Sequence, residues 1–400
     1  MTGWVRPVRH GWVVRDEVPG PDVDEFAEPD RVVAALAEPG AARGTLLAVQ
    51  HPHRTPNALT EGLRLPDALP IARSVLSVLL RRAYRRITDV VAPYTVDGPD
   101  GAATGLLCLV DPGAAGLEHY HRVRHTEEVY PDVVAERAEV LAGLGYLTSA
   151  ALLVPVSDVD LLTGAVRSVI DGAGPPAVST VDSSGRRHQL WLVGPGASQS
   201  ALLAAAEAGP LLVADGNHRV AAAAAAGLDG MLALITAGPG LRIGAFHRVL
   251  TGTGLDGAAL ANAWRRVGLT VRPAESDARP APGRVLVRCP DRAMWVELPP
   301  PDAAEPLPRI DHGVLENLLL AKALGLDPES PLVRPLPDGR RPPAGADALL
   351  LLAPVPLADV LAVHAGGRRM PRKSTFFTPK PRSGLLLAEL PRSGLLSADD

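Results

Sequence analysis

Apolar residues fall along this chain in short blocks separated by turn-forming residues, a pattern that predicts an α/β fold. Strand-length apolar runs occur at Thr45-Leu46-Leu47-Ala48-Val49, Gly105 to Val110, Leu152 to Val156, Leu190-Trp191-Leu192-Val193, Leu211 to Ala214, Met231 to Ile235 and Arg284 to Val287. Helical spacing is found from Pro70 to Ile87, Glu127 to Leu144, Ala258 to Val267 and Gly313 to Leu324. In the second of these, Val129, Val133, Val134, Ala138, Val140 and Leu141 mark the apolar positions, with charged residues between them. Ser184-Gly185 and Gly238-Pro239-Gly240 read as turns, and Pro273 to Pro282, Pro299 to Pro308 and Pro331 to Gly345 as connections. The Pro-Arg-Ser-Gly-Leu-Leu that begins at Pro381 recurs from Pro391, but no longer period exists, which argues against a solenoid.

One junction carries more chemistry than the rest. Leu211-Leu212-Val213-Ala214-Asp215-Gly216-Asn217-His218-Arg219-Val220 runs directly into the alanines Ala221 to Ala226. A buried strand that breaks at Asp-Gly and enters a segment of high helix propensity leaves the unpaired N–H groups of a helix start facing the turn. Their partial positive charge suits an anion, phosphate above all. Gly216 lets backbone approach a ligand, Arg219 can grip two oxygens, and His218 can donate, accept or move a proton. The competing reading is an ordinary Asp-Gly turn followed by a core helix. Four polar side chains within five positions favour chemistry, because burying them for structure alone would need many compensating hydrogen bonds.

Composition narrows the classes. With 400 residues, 46% of them hydrophobic and 21% charged, the chain is long enough for two or three lobes around sizeable cores. A formal net charge of −4 argues against a nucleic-acid or membrane-surface partner, whose footprint is usually basic. Arg81, Arg82, Arg85 and Arg86 read as a solvated face. The two cysteines, Cys108 and Cys289, have no ligand-spaced neighbours and form neither a zinc motif nor a disulfide framework, and Cys108 reads as core. Charged residues near the start, among them Arg6, Arg9 and Arg15, argue against a secretory leader, and no apolar run reaches membrane-spanning length, so the expected location is cytoplasmic.

Four motifs in order resemble the bacterial and archaeal family called domain of unknown function 1015. Ala214-Asp215-Gly216-Asn217-His218-Arg219 is similar to its Ala-Asp-Gly-His-His-Arg, with Asn217 in place of the first His. Gly185 to Trp191 resembles its Gly-x-x-His-x-Leu-Trp segment, and Phe246-His247-Arg248-Val249-Leu250 its His-Arg-Val stretch. Met370-Pro371-Arg372-Lys373-Ser374-Thr375-Phe376-Phe377-Thr378-Pro379-Lys380, continuing to Ser383-Gly384-Leu385, resembles its C-terminal motif. Near the N-terminus, where the family has Pro-Tyr-Asp-Val, Pro21-Asp22-Val23-Asp24 is a distant echo.

The central motif also resembles the phosphate corner of the ParB and sulfiredoxin superfamily, which includes free-serine kinases. That resemblance implies a ParB/sulfiredoxin-like mixed core at residues 150–255, between an N-terminal α/β lobe at 1–149 and a C-terminal α/β lobe at 256–400. It implies ATP or ADP and Mg²⁺ as cofactors and a small-molecule hydroxyl substrate such as free serine. The DNA-associated role that the ParB link alone would suggest is disfavoured by the net charge of −4, and neither a nucleic-acid nor a membrane partner is expected. In that reading Asp215 orients metal or substrate, Gly216 and Asn217 contact phosphate, Arg219 neutralises phosphoryl charge and His218 positions or relays a proton.

Further candidates follow from the same motifs. His247 and Arg248 at a strand end, and Lys373, Ser374 and Thr375 with an ammonium and two hydroxyls, either line the nucleotide site or serve structure. Glu127 or Glu128, in a segment similar to the family's His-Glu and Asp-Arg stretch, is either the catalytic acid or base or a helix-start carboxylate. His188 reads as a buried hydrogen-bonding residue or a site residue, and Trp191 as core. The leading function is a nucleotide-dependent phosphotransferase. A phosphoesterase with the same pocket and a non-catalytic nucleotide or metabolite sensor are the alternatives. Nucleophile-elbow hydrolases, zinc proteases and Gly-x-Gly-x-x-Gly dinucleotide enzymes are excluded by the absence of their motifs.

Overall fold

The computed structural model describes residues 3–23, 29–116, 121–237, 240–275 and 277–390, and it divides into two compact units. The first unit comprises 3–125, 129–242 and 379–390 within those limits; the second comprises 126–128 and 243–378. Asp24, the Gly238-Pro239 part of the predicted turn and the second Pro-Arg-Ser-Gly-Leu-Leu copy lie outside the described residues.

The first unit is built on a ten-stranded mixed sheet. Along its path the strands begin at Val178, Arg187, Ala92, Gly101, Met231, Ala151, Leu211, Val123 and Ala115, and Val5–Arg6 pairs with the strand Gly101–Val110. Leu211–Asp215 is an interior strand, antiparallel to Ala151–Pro155 and parallel to Val123–His125. Its first four residues are buried, which explains an apolar run without alternation. The core around it includes Val123, Leu153, Leu162, Val166, Leu202, Val213, Val220 and Ile235. Cys108 is fully buried there, and both cysteines are free thiols. A second sheet of four strands orders Tyr84–Val90, Val8–Val14, Leu386–Glu389 and Tyr146–Leu147.

The second unit has a six-stranded antiparallel sheet whose strands begin, in spatial order, at Thr270, Ala293, Arg284, Ala348, Phe246 and Val333. Its core centres on Trp264, fully buried, whose indole N–H donates to the Leu319 carbonyl at 3.1 Å.

Several sequence expectations change. Thr45 to Val49 is not a strand but the start of the helix Leu46–Gln50, because Thr45 Oγ1 caps the Ala48 N–H at 3.3 Å and burial on all sides erases the periodicity. The strand expected at Leu190–Val193 lies earlier, at Arg187–Leu190. Trp191 is therefore only half-buried, with its indole donating to the Gly174 carbonyl at 3.0 Å. The Pro331 to Gly345 connection contains the strand Val333–Pro337, which tolerates Pro335 and Pro337 because it is a sheet edge. The helix expected from Pro70 to Ile87 spans Leu65–Ala83, and Arg85 and Arg86 fall on the following strand. Gly313 to Leu324 combines a short α-turn with a π-helix over Leu315–Lys322. The helix read from Glu127 begins at Pro131.

Candidate phosphate site at a strand–turn–helix corner

The strand Leu211–Asp215 ends at Gly216, which takes a left-handed conformation (φ 94°) and starts the helix Asn217–Ala225. Asp215 therefore sits at the carboxyl end of a buried strand, and the next residues form the first helical turn. Arg219 folds back over this turn and donates from Nη2 to Asp215 Oδ2 at 2.5 Å. Glycine leaves room for this, since a Cβ at position 216 would stand 2.8 Å from Arg219 Nε and the guanidinium would have to shift.

A second cation reaches the same carboxylate from far along the chain. Lys380 Nζ donates to Asp215 Oδ1. Pro379 and Pro381 flank Lys380 and stiffen the chain there. Arg382 then anchors the segment: its guanidinium lies 3.2 Å from Asp22, both side chains being almost wholly buried, and donates to the Gly20 carbonyl at 2.7 Å. Its N–H reaches Tyr94 Oη at 3.4 Å.

Behind Tyr94 runs a buried polar chain. The Tyr94 hydroxyl and His188 Nδ1 are 2.7 Å apart, and His188 Nε2 is 3.0 Å from Asp182 Oδ2. Asp182 also accepts the N–H groups of Ser184 and Arg186 and pairs with the Arg186 guanidinium at 3.3 Å. Burial holds the His188 imidazole below its ordinary range, against the opposing pull of Asp182. A neutral ring that donates from Nε2 to the carboxylate and accepts the tyrosine proton at Nδ1 satisfies every partner. His188 is thus the buried hydrogen-bonding residue of the two readings left open by the sequence.

The other two residues of the corner are also held. Asn217, buried, accepts from His125 Nδ1 through its amide oxygen at 3.1 Å. His218 Nε2 accepts the Tyr130 N–H at 3.0 Å, and the two rings stack with centroids 5.6 Å apart at 9°. A ring nitrogen that accepts a backbone N–H carries no proton itself, which fixes the His218 tautomer.

The remaining candidates belong to the second unit. Arg248 is 3% exposed and its guanidinium donates to the carbonyls of His247, Arg372 and Lys373 at 3.2, 3.0 and 3.2 Å and to Glu316 at 2.6 Å. His247 Nδ1 accepts the Leu352 N–H at 3.3 Å, and burial lowers its pKa while Asp338 opposes the shift. Lys373 adopts φ 49°, a left-handed conformation rare for a side-chain-bearing residue, and its ammonium lies 5.7 Å from the Phe246 ring centre. Ser374 and Thr375 are buried. Glu127 makes a backbone bridge with Met370, and Glu128 pairs at the surface with Arg369 and Arg372 at 3.3 and 3.5 Å.

The structure thus brings Asp215, Gly216, Asn217, His218 and Arg219 together in the first unit. In the second it groups His247 and Arg248 with Lys373, and Glu127 and Glu128 with the 369–372 segment. Lys380, His125, Tyr130 and Asp22 were not named as site residues from the sequence. Lys380 stood inside the quoted C-terminal motif, and Asp22 inside the distant N-terminal echo. Two cations and a helix start fit a phosphate-bearing ligand. The donors do not fit a protein-held magnesium ion, since both Asp215 oxygens face cations. Among the described residues no three His, Cys, Asp or Glu side chains are placed to hold a metal.

Fold and site together define an α/β protein with a cation-lined strand–turn–helix corner. The profile of the family described as protein of unknown function (DUF1015) matches residues 90–311, just over half of the chain, and the chain belongs to that family. No curated protein sequence matches it. Among solved structures, SbnI with a C-terminal truncation from Staphylococcus aureus is similar over 74% of this chain and 90% of its own, with 15% identity and a TM-score of 0.42. A conserved hypothetical protein from Pyrococcus furiosus covers 69% and 93%, with 12% identity and a TM-score of 0.38. A free serine kinase in complex with AMP covers 70% and 92%, with 11% identity and a TM-score of 0.37. These likenesses are remote, and no residue role is carried over from them. Among the described residues no helix is long and apolar enough to cross a membrane.

Proposed function

We propose that the protein is a nucleotide-dependent phosphotransferase acting on a small hydroxyl compound. The observation that carries this reading is the convergence of Arg219 and Lys380 on the carboxyl end of the strand Leu211–Asp215, beside the first turn of the helix Asn217–Ala225. Two fixed cations and a helix start can bind the phosphates of ATP or ADP and stabilise the charge that builds on their oxygens during transfer. The corner resembles that of the ParB and sulfiredoxin superfamily in its Asp-Gly-x-His-Arg order, and free serine accordingly heads the panel of acceptors. Magnesium enters only as a companion of the nucleotide phosphates.

In the reaction the acceptor oxygen attacks the terminal phosphorus. The bond from that phosphorus to the leaving phosphate oxygen breaks, and its electron pair stays with the nucleotide. The acceptor proton passes to a carboxylate, and Asp215 is the candidate within the corner. The N–H of Asn217 and the flexible backbone of Gly216 allow close approach of phosphate, and Arg219 shares the developing charge.

A second reading, a nucleotide sensor without turnover, is favoured by the engagement of His218 Nε2 with the Tyr130 N–H and of Asn217 with His125. Calorimetry with ATP and ADP, followed by product analysis with serine and related alcohols, separates the two. Binding with a phosphorylated acceptor supports the transferase; binding with none supports the sensor. Failure of both nucleotides to bind overturns both readings.

A further inference from the structure

We propose that Lys380 and Arg219 form one phosphate clamp for which the Asp215 carboxylate is the internal counter-ion, so that phosphate enters by exchange with Asp215. This rests on the phosphate-binding reading above and adds Lys380 to it, together with a competition within the site. Each Asp215 oxygen is engaged by one cation, Oδ1 by Lys380 and Oδ2 by Arg219, so the carboxylate bridges two groups that both suit a phosphate oxygen. The three side chains are 18–23% exposed, so the cluster is reached from solvent yet partly shielded from it.

Neither cation is simply a mobile surface group. Arg219 is folded back on the turn by the space that Gly216 leaves. Lys380 is pinned between two prolines, with Arg382 next in line bound to Asp22, Gly20 and Tyr94. In this exchange a rotation of the Asp215 side chain releases both cations while the two anchored segments stay in place. A carboxylate carries one charge spread over two oxygens, whereas a terminal phosphate carries more charge over three, and the helix start adds to its advantage. Exchange is therefore favourable, but the affinity is reduced by the cost of displacing Asp215.

This predicts opposite signs for two substitutions at one ion cluster. Titration calorimetry with inorganic pyrophosphate and with ADP is performed on the full chain and on Asp215→Asn, Lys380→Met and the double variant, with thermal unfolding to confirm folding. Asp215→Asn is expected to bind pyrophosphate at least about tenfold more tightly than wild type, the scale of one charge-assisted hydrogen bond. Lys380→Met is expected to bind at least about tenfold more weakly. The double variant should fall between them. Asp215→Ser, which also removes the charge, should repeat the gain and replaces Asp215→Asn if that variant does not fold.

Equal or weaker pyrophosphate binding by the folded Asp215 variants overturns the exchange, as does Lys380→Met binding like wild type. If pyrophosphate follows the expected signs while ADP and ATP do not bind, the exchange stands and the nucleotide reading falls. If ADP binds but the Asp215 variants do not gain affinity, the nucleotide reading stands and the exchange falls. Failure of every protein, Asp215→Asn included, to bind either ligand overturns both.

Discussion

Gly216 and Arg219 contend for one volume: a Cβ at position 216 would lie 2.8 Å from the Arg219 Nε that now packs against the bare glycine. The same glycine has φ 94°, a conformation that costs a side-chain-bearing residue about 1–2 kcal/mol. Gly216→Ala is therefore expected to lower the melting temperature by about 2–8 °C. It should also push Arg219 off Asp215 and weaken nucleotide binding. Thermal unfolding and ADP calorimetry on the same preparation check both effects. An alanine variant with unchanged stability and affinity would show that Arg219 does not need the glycine.

Arg248 acts as a clamp on the turn that carries Lys373. Its guanidinium ties the carbonyls of Arg372 and Lys373 to Glu316. Arg248→Met is expected to destabilise the protein by about 3–5 kcal/mol, because it leaves a carboxylate and the carbonyls of His247, Arg372 and Lys373 without this donor. Arg248→Lys should recover little of this, since an ammonium cannot span the same fork. Denaturant unfolding monitored by tryptophan fluorescence, to which Trp264 and Trp295 contribute in this unit, measures the difference.

Acid should destabilise the protein before its carboxylates titrate. Burial, with Arg54 next in weight, pushes His51 down to about 4. Burial, with Arg248 next, pushes His312 down to about 3, and burial also lowers His188 and His247. Each is depressed in the folded chain relative to about 6.5 in the unfolded one, so the unfolded chain takes up protons first. The stability these neutral rings contribute is complete above pH 6.5 or so and is lost progressively as pH falls toward the folded values, at up to about 1.4 kcal/mol per pH unit for each ring. Melting temperatures between pH 7 and pH 5 should fall steadily. His51→Gln and His312→Gln should each reduce the slope, and a flat profile would contradict this account.

The corner was legible in the sequence because its residues are consecutive: a buried strand, Asp-Gly, then a helix former leave little freedom in how they fold. Lys380 was not, because nothing local links it to Asp215; only the chain path that returns 165 positions later brings them together. The same holds for the chain from Tyr94 through His188 to Asp182. Local pattern misled where packing decided. Leu46 to Val49 is buried all round and helical, and Val333–Pro337 hides an edge strand behind prolines that would break an interior one. The π-helix at Leu315–Lys322 leaves no mark on a periodicity reading, since its apolar spacing passes for an ordinary helix.

His218 offers the sharpest separation between a positioning residue and a proton carrier. Its Nε2 already accepts the Tyr130 N–H, and its ring lies flat against the Tyr130 ring. An amide oxygen can replace that acceptor, whereas a benzene ring can replace only the stacking. If His218 positions the segment before the helix Pro131–Leu144, His218→Gln, whose amide oxygen can reach the Nε2 position, should keep most ADP affinity and any turnover, while His218→Phe should lose stability by about 1–3 kcal/mol through the stranded N–H. If instead His218 carries the acceptor proton, His218→Gln should keep affinity and lose turnover by about 10²- to 10⁴-fold, and the pH profile of the remaining rate should lose its histidine limb. The backbone contact favours the first outcome. The turnover of His218→Gln, measured beside its affinity, decides between them.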